Sequence, residues 1–228
     1  NYVNEPLIRK DIIKFIEYSK SKGILDIYLS TNGVLLNKKI SEDLIKSGLT
    51  RIQISIDAVT EETYNKVRPG GNLNKVITNL NLLLELRKKF KSITPLVRVN
   101  FVKTSLNEFE LEKFLKFWAE KVDMIGVQEF IKPTKVKNKI KSKKSIDKKK
   151  LNFKCSFPFK QVVITNEKKI LPCCTFWGEE LVLQELKSPE DISRAWNSKK
   201  MQFLRKTHKE GKYSEIPQCK NCVDGGLE

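Results

Sequence analysis

The chain has 228 residues, 39% hydrophobic and 31% charged, with a net charge of +17 and five cysteines. That length suits one large domain, or one with a small appendage, and no apolar run approaches the roughly 20 residues that a membrane-spanning helix needs. A disulfide framework is not expected, because a chain this long needs no staples, shows no secretory apolar segment at its start and would leave one cysteine over.

In chain order, residues 9–22 carry Ile12, Ile13 and Ile16 on one face, with Phe15 at looser phase, and Gly23 ends this amphipathic helix. Residues 25–29 are an apolar run of strand length, followed by the turn cluster Ser30-Thr31-Asn32-Gly33. A second helix is expected over 38–46, stopped at Gly48, and a second strand over 51–56, ending at Asp57. Thr60 caps a short helix running to Val67, in which Thr63 is too polar to help. A longer helix over 74–90 bears Leu80, Leu83, Leu84 and Leu86, and Pro95 leads into a strand over 96–102. Residues 107–121 are read as a helix bearing Leu111, Phe114, Leu115 and Trp118, and 124–128 as the last strand of the series.

Strand–helix repeats of this length imply parallel strands joined by right-handed crossovers, hence an α/β sheet or barrel with its site at the strand C-terminal ends. Ser30, Thr31, Asn32, Ser55, Asp57 and Gln128 all fall at or just past those ends, which predicts a shared pocket. Taken singly, Asn32-Gly33 is also ordinary turn chemistry and Asp57 an ordinary helix cap.

Ten lysines and few apolar residues occupy 132–150, a solvated connector. It lacks the interleaved aromatics and arginines that stack and clamp nucleic acid, so nucleic-acid binding is not expected of it. All five cysteines lie beyond it: Cys155, Cys173, Cys174, Cys219 and Cys222. The CxxC at 219–222 lets two thiolates grip one metal centre from a tight turn, and Cys155 with Cys173 completes a four-sulfur cage suited to zinc or an iron–sulfur cluster; Cys174 is the alternative to Cys173. Short strands over 161–165 and 169–171 form a hairpin that brings Cys173 back towards Cys155. Ser188 is the expected cap of a helix through Ile192 and Trp196, with Pro189 in its first turn, and another helix runs through Met201, Leu204 and Arg205.

These motifs, in this order, resemble the later part of a radical S-adenosylmethionine enzyme with a C-terminal SPASM or twitch iron–sulfur domain. Asn4-Glu5-Pro6-Leu7 resembles the GGEP motif, with asparagine in place of a glycine. Ser30-Thr31-Asn32-Gly33 resembles the loop after that family's third strand, Ser55-Ile56-Asp57 the loop after its fourth, and Tyr64-Asn65-Lys66-Val67-Arg68 its YxxxR segment. Cys155, the run from Lys168 to Cys174, the Arg194-Ala195-Trp196-Asn197-Ser198 helix end and the final CxxC resemble its auxiliary-cluster domain.

The resemblance implies a partial (β/α)6 TIM-like barrel over 1–130, the lysine linker over 131–150 and a small cysteine-rich α+β SPASM or twitch domain over 151–228. It implies bound S-adenosyl-L-methionine, with Glu5 on the amino group, Ser30, Asn32, Ser55 and Asp57 on the ribose or sulfonium end, Arg68 on the carboxylate, and Val127 and Gln128 near the adenine. It also implies one auxiliary 4Fe-4S cluster on Cys155, Cys173, Cys219 and Cys222; Cys173 is preferred to Cys174 because the family's ligand sits at the proline–cysteine junction. Such enzymes generate a 5′-deoxyadenosyl radical that abstracts a substrate hydrogen, which implies oxidation or modification of a peptide or sugar in the cytoplasm, supported by an external electron donor such as flavodoxin or ferredoxin. The CxxxCxxC that carries their catalytic cluster does not occur here, and the chain opens on Asn1. The expectation is an N-terminally truncated fragment whose triplet lies upstream. Two readings from other classes compete: a non-catalytic zinc-binding module on an α/β scaffold, and a basic nucleic-acid-binding domain.

Overall fold

The computed structural model describes residues 4–130 and 153–224, which fall in two compact units; the lysine-rich segment over 131–150 lies outside the described residues. In the first unit, strands β1 (Tyr28–Thr31), β2 (Arg51–Ser55), β3 (Leu96–Lys103) and β4 (Met124–Glu129) form one sheet in the order β1-β2-β3-β4, every neighbour parallel. Helix α1 (Ile12–Ser21) precedes β1, and helices α2 (Lys38–Lys46), α3 (Glu61–Val67), α4 (Leu73–Lys89) and α5 (Leu111–Trp118) supply the crossovers. This is the expected α/β class, an open parallel sheet with strands in sequential order.

Strand alternation sorts the sheet into two chemically different faces. Leu29, Ile52, Ile54, Val97, Val99 and Phe101 are buried in a core shared with Leu44 of α2, Leu80 and Leu83 of α4, and Phe114 and Trp118 of α5. The other face is polar, and the register aligns its residues across the strands: Ser30 with Gln53, Gln53 with Arg98, Ser55 with Asn100, and Asn100 with Gly126.

Three local readings change. The first strand does not cover 25–29: Leu25 is 86% exposed, and the ladder begins only at Tyr28, because Asp26 is engaged by Thr50 and Arg51 before the strand starts. The helix expected over 107–121 is shorter. Buried Asn107 staples the loop instead, accepting from the Thr104 backbone N–H and donating to the carbonyls of Asp57 and Val102, and a 3-10 turn at Glu108–Glu110 precedes α5. Thr60 does cap α3, accepting from Thr63 N. Thr63, expected to add little, is buried and donates to the Glu110 carboxylate at 2.9 Å.

The second unit opens with α6 (Phe157–Lys160) and a three-stranded antiparallel sheet of β5 (Val163–Ile164), β6 (Lys169–Leu171) and β7 (Gln184–Glu185). The β5–β6 hairpin turns at Lys168, whose φ is +59°. Helices α7 (Glu190–Trp196), α8 (Lys199–Lys209) and α9 (Pro217–Asp224) follow, and the core gathers Ile170, Leu183, Ala195, Met201, Leu204 and Ile216. Ser188 does not cap α7. The Asp191 carboxylate reaches back from the first turn to accept from the backbone N–H of Ser188 at 2.7 Å and of Lys187 at 2.8 Å. The CxxC, expected in a tight turn, lies on α9, where Pro217 takes the first helical position.

Candidate functional site

In the first unit the predicted residues collect into separate clusters along the C-terminal side of the sheet. Glu5 closes the first: its Oε1 accepts from Leu7 N at 3.1 Å and Thr31 Oγ1 at 2.7 Å, and its Oε2 from Asn32 N at 2.7 Å. A carboxylate has about four acceptor positions, so three are filled and one is open. Asn32 spends its own Oδ1 on Val34 N, an Asx turn that shapes the loop after β1.

Asp57 and Arg68 form the second cluster. Asp57 Oδ1 accepts from Val102 N at 2.8 Å, and Oδ2 accepts from Arg68 Nε at 2.7 Å and Nη2 at 2.6 Å. The Asp57 side chain is only 4% exposed while that of Arg68 is 31% exposed. Asp57 thus faces inward and holds the arginine, which keeps three of its five donors for other partners.

The third cluster spans β1 to β4 on the polar face. Gln53 Nε2 donates to Ser30 Oγ at 3.4 Å, Asn100 Nδ2 donates to Gln128 Oε1 at 2.9 Å, and Arg98 Nη2 donates to Asn100 Oδ1 at 3.4 Å. Ser55 stands half-buried on the same face, level with Asn100. Val127 alternates to the opposite face from Gln128, so the two residues expected beside one another at an adenine are split by the pleat.

Gln53, Arg98 and Asn100 escaped the sequence reading, although the alternation of Arg98 and Asn100 with Val97, Val99 and Phe101 marks them as a polar face. The Arg98 guanidinium lies over Gly126, where a Cβ would come within 2.0 Å of Nη2. Its Nε is buried with no hydrogen-bond partner. An arginine donor held without an acceptor in a polar wall is a ready anchor for an acceptor-bearing ligand.

In the second unit, Cys155, Cys173, Cys219 and Cys222 line one largely apolar pocket, whereas Cys174 is exposed and is not among the lining residues. Burial, reinforced by the neighbouring Cys173, Cys155 and Cys222, pushes Cys219 up to about 12. Burial does the same to Cys222, also to about 12, against a hydrogen bond from Thr175 that lowers it. Cys155 is raised as well, first by burial and then, among other influences, by Cys173 and Cys174. The four lining thiols therefore sense one another across one apolar space, and two of them, Cys155 and Cys222, sense exposed Cys174 as well. Among the described residues no group of three or more His, Cys, Asp or Glu side chains is arranged to hold a single metal ion.

Four soft donors around a dry pocket fit an iron–sulfur cluster, which is several atoms across and takes thiolate ligands. Gly178 adds to the fit, since a Cβ there would sit 2.8 Å from both the carbonyl oxygen and Sγ of Cys173. The chain's one histidine, His208 on α8, is 2% exposed and also lines the pocket. Burial lowers its pKa, its Nδ1 accepts from Cys155 N at 3.4 Å, and its Nε2 lies 3.4 Å from Cys219 Sγ. Sequence reasoning passed it over, although it shares the apolar phase of Met201 and Leu204 on one helix.

Comparison with known proteins bears on both units. A model described as the radical SAM superfamily matches residues 2–116, and the SPASM model, described as an iron–sulfur cluster-binding domain, matches 155–223. A probable GTP 3′,8-cyclase from Methanocaldococcus jannaschii is 35% identical over 127 residues, 56% of this chain and 40% of that protein. A GTP 3′,8-cyclase from Alkaliphilus oremlandii is 37% identical over 119 residues, 51% of this chain and 35% of that protein. The chain thus spans 40% or less of the length of these curated relatives. The crystal structure of BtrN in complex with AdoMet and 2-DOIA superposes with a TM-score of 0.59 at 18% identity, covering 97% of this chain and 70% of that one, a likeness of fold.

Proposed function

Because this chain belongs to the radical SAM superfamily and carries a SPASM iron–sulfur cluster-binding domain, we propose that it serves an enzyme that binds S-adenosylmethionine on the polar face of the parallel sheet and modifies a small polar molecule. The observation that carries this reading is the set of partly unsatisfied polar groups on that face and in the loops at the C-terminal ends of its strands, above all Arg98 on the face and Glu5 and Arg68 at the loops. Residues 1–130 form the part that binds S-adenosylmethionine, 131–150 the connector and 151–228 the cluster domain.

When bound, S-adenosylmethionine and its clusters supply the radical chemistry, a 5′-deoxyadenosyl radical that removes a substrate hydrogen. The protein's own share is orientation. Glu5 offers its one open acceptor position to the amino group, and Arg68, braced by Asp57, offers its spare donors to the carboxylate. Ser30, Asn32 and Ser55 meet the ribose or sulfonium end, with Gln128 beside the adenine. Asp57 acts through Arg68, since its oxygens already face three donors. Arg98 offers Nε to an acceptor on the substrate.

The relatives' names speak of GTP and of 2-DOIA, which favours a small molecule over a peptide. Cys155, Cys173, Cys219 and Cys222 hold the auxiliary 4Fe-4S cluster, an external donor such as flavodoxin or ferredoxin supplies electrons, and the setting is the cytoplasm. Among the described residues no helix is long and apolar enough to cross a membrane.

Equilibrium dialysis of the anaerobically reconstituted chain against labelled S-adenosylmethionine tests the reading. Glu5→Gln and Arg68→Ala are each expected to weaken binding by about tenfold or more, the scale of one hydrogen bond to a charged group. Saturable binding that neither substitution changes overturns the residue assignment; no binding by the unaltered chain at millimolar ligand overturns the placement of the site on this sheet.

A further inference from the structure

The pocket of thiols contains one polar ring that the proposed function does not use. His208 is set between two of the four cysteines and contacts each through a different nitrogen, Nδ1 with the Cys155 backbone and Nε2 with the Cys219 sulfur. The two contacts differ in kind. The Cys155 N–H has only a proton to offer, so Nδ1 must present its lone pair. A neutral imidazole carries one proton, which is thereby assigned to Nε2, the nitrogen 3.4 Å from Cys219 Sγ. Backbone geometry at one cysteine thus fixes the direction of a hydrogen bond at another.

Thr175 makes a useful contrast. Its Oγ1 lies 3.5 Å from Cys173 Sγ, and either atom can be the donor, because a hydroxyl rotates and both gives and accepts. His208 has no such freedom once Nδ1 is occupied. It is also fixed in place: α8 buries Met201, Leu204 and Thr207 alongside it, and the residues after α8 fold back so that Lys212 N donates to Thr207 O at 2.9 Å.

We propose that His208 is a positioning residue for the auxiliary cluster, donating from Nε2 to the Cys219 thiolate and so raising the cluster's reduction potential. The physical reason is electrostatic. Reduction adds negative charge to the cluster and its thiolates, and a donor aimed at a ligand sulfur stabilises the more negative state more strongly; hydrogen bonds to sulfur are one of the levers that set these potentials. In a dry pocket such a donor counts for more than in water. This inference rests on the reading of the four cysteines as cluster ligands.

The test uses the unaltered chain and two variants, His208→Leu and His208→Gln, all reconstituted anaerobically and assayed for iron and sulfide before any potential is measured. Redox titration followed by electron paramagnetic resonance should place the His208→Leu cluster at a lower midpoint potential. The expected change is about a tenfold fall in the reduced-to-oxidised ratio at fixed potential, which is about 59 mV for a one-electron couple. His208→Gln, which keeps an N–H donor, should recover part of it. Electron–nuclear double resonance on the unaltered chain should show an exchangeable proton coupled to the reduced cluster that disappears in His208→Leu. An unchanged potential in a fully loaded His208→Leu overturns the proposal. If His208→Leu fails to load, absence of that coupled proton from the unaltered chain overturns it instead. If the unaltered chain takes up zinc and no sulfide, the cluster reading itself falls, a result distinct from either.

Discussion

Arg68 closes over Asp57 as a two-pronged donor, placing both Nε and Nη2 on the single oxygen Oδ2 while Oδ1 is taken by the Val102 backbone. Removing the guanidinium leaves a buried carboxylate with one backbone donor. Arg68→Ala is expected to cost about 2–4 kcal/mol of folding stability, since breaking a buried pair strands the remaining charge. Arg68→Lys should recover only part, because an ammonium lacks the fork. Urea denaturation of the two variants checks this; full stability in Arg68→Ala would mean that Asp57 does not depend on the arginine.

Glu110 ties the start of α3 to the turn before α5. Its carboxylate, on a residue 2% exposed, accepts from Val59 N at 2.6 Å, Thr60 N at 3.3 Å and Thr63 Oγ1 at 2.9 Å, with Thr60 Oγ1 as a further donor. Burial alone would raise its pKa, but the bonds from Thr60, Val59 and Thr63 outweigh it and hold it below the ordinary value. A depressed folded-state pKa gives stability that is fully present above the unfolded value of about 4.3 and is lost as pH falls through the folded value. Glu110→Gln should therefore lose about 1.5–3 kcal/mol at neutral pH and show a shallower decline in acid. Thermal melts of both proteins between neutral pH and pH 3 measure it, and parallel pH curves would refute the assignment.

The cysteines should separate cleanly on reconstitution. Alanine at Cys219 or Cys222 is expected to abolish cluster binding and loosen the second unit, because metal-site binding there is also folding energy. Alanine at exposed Cys174 should leave about four irons per chain, as in the unaltered protein. A normal iron count in Cys173→Ala combined with a large loss in Cys174→Ala would move the ligand to Cys174.

Gly178 offers a test of the same pocket that leaves every sulfur in place. A Cβ at this position meets the Cys173 backbone oxygen and Sγ, both at 2.8 Å, and backbone cannot swing aside as a side chain can. Gly178→Ala is expected to cut iron incorporation severalfold while the first-unit reporter, Trp118 fluorescence read in a background with Trp177 and Trp196 replaced by phenylalanine, stays unchanged. Gly126→Ala should spare both, since what it displaces is the flexible end of Arg98.

Much of this architecture was readable because its signals are periodic. The helices α2 and α4 and the strands β2 and β3 show their burial pattern as a regular alternation or a leucine stripe, and the order of elements follows. Misplacements arose where a polar side chain overrode local preference: Asp26 held residues 25–27 out of the ladder, and Asn107 pinned a loop where a helix was expected. The site was legible where motifs are contiguous, as with the CxxC. It was hidden where partners meet only across strands or helices: Arg98 over Gly126, or His208 between Cys155 and Cys219, separated by 53 and 11 positions.

The placement of Cys219 and Cys222 on α9 has a consequence for how this domain tolerates change in length. Successive residues of an α-helix are rotated by about 100°, so thiols three apart share one side, and deleting one residue between them would turn one sulfur about 160° from the other, whereas one inserted residue would keep them on the same side. Cys155 and Cys173 stand outside regular helix and strand, so the chain between them has no comparable angular constraint. Loops before Cys173 and after it can grow or shrink while the cage closes, but the interval within the CxxC cannot be shortened by a residue without losing helical phase.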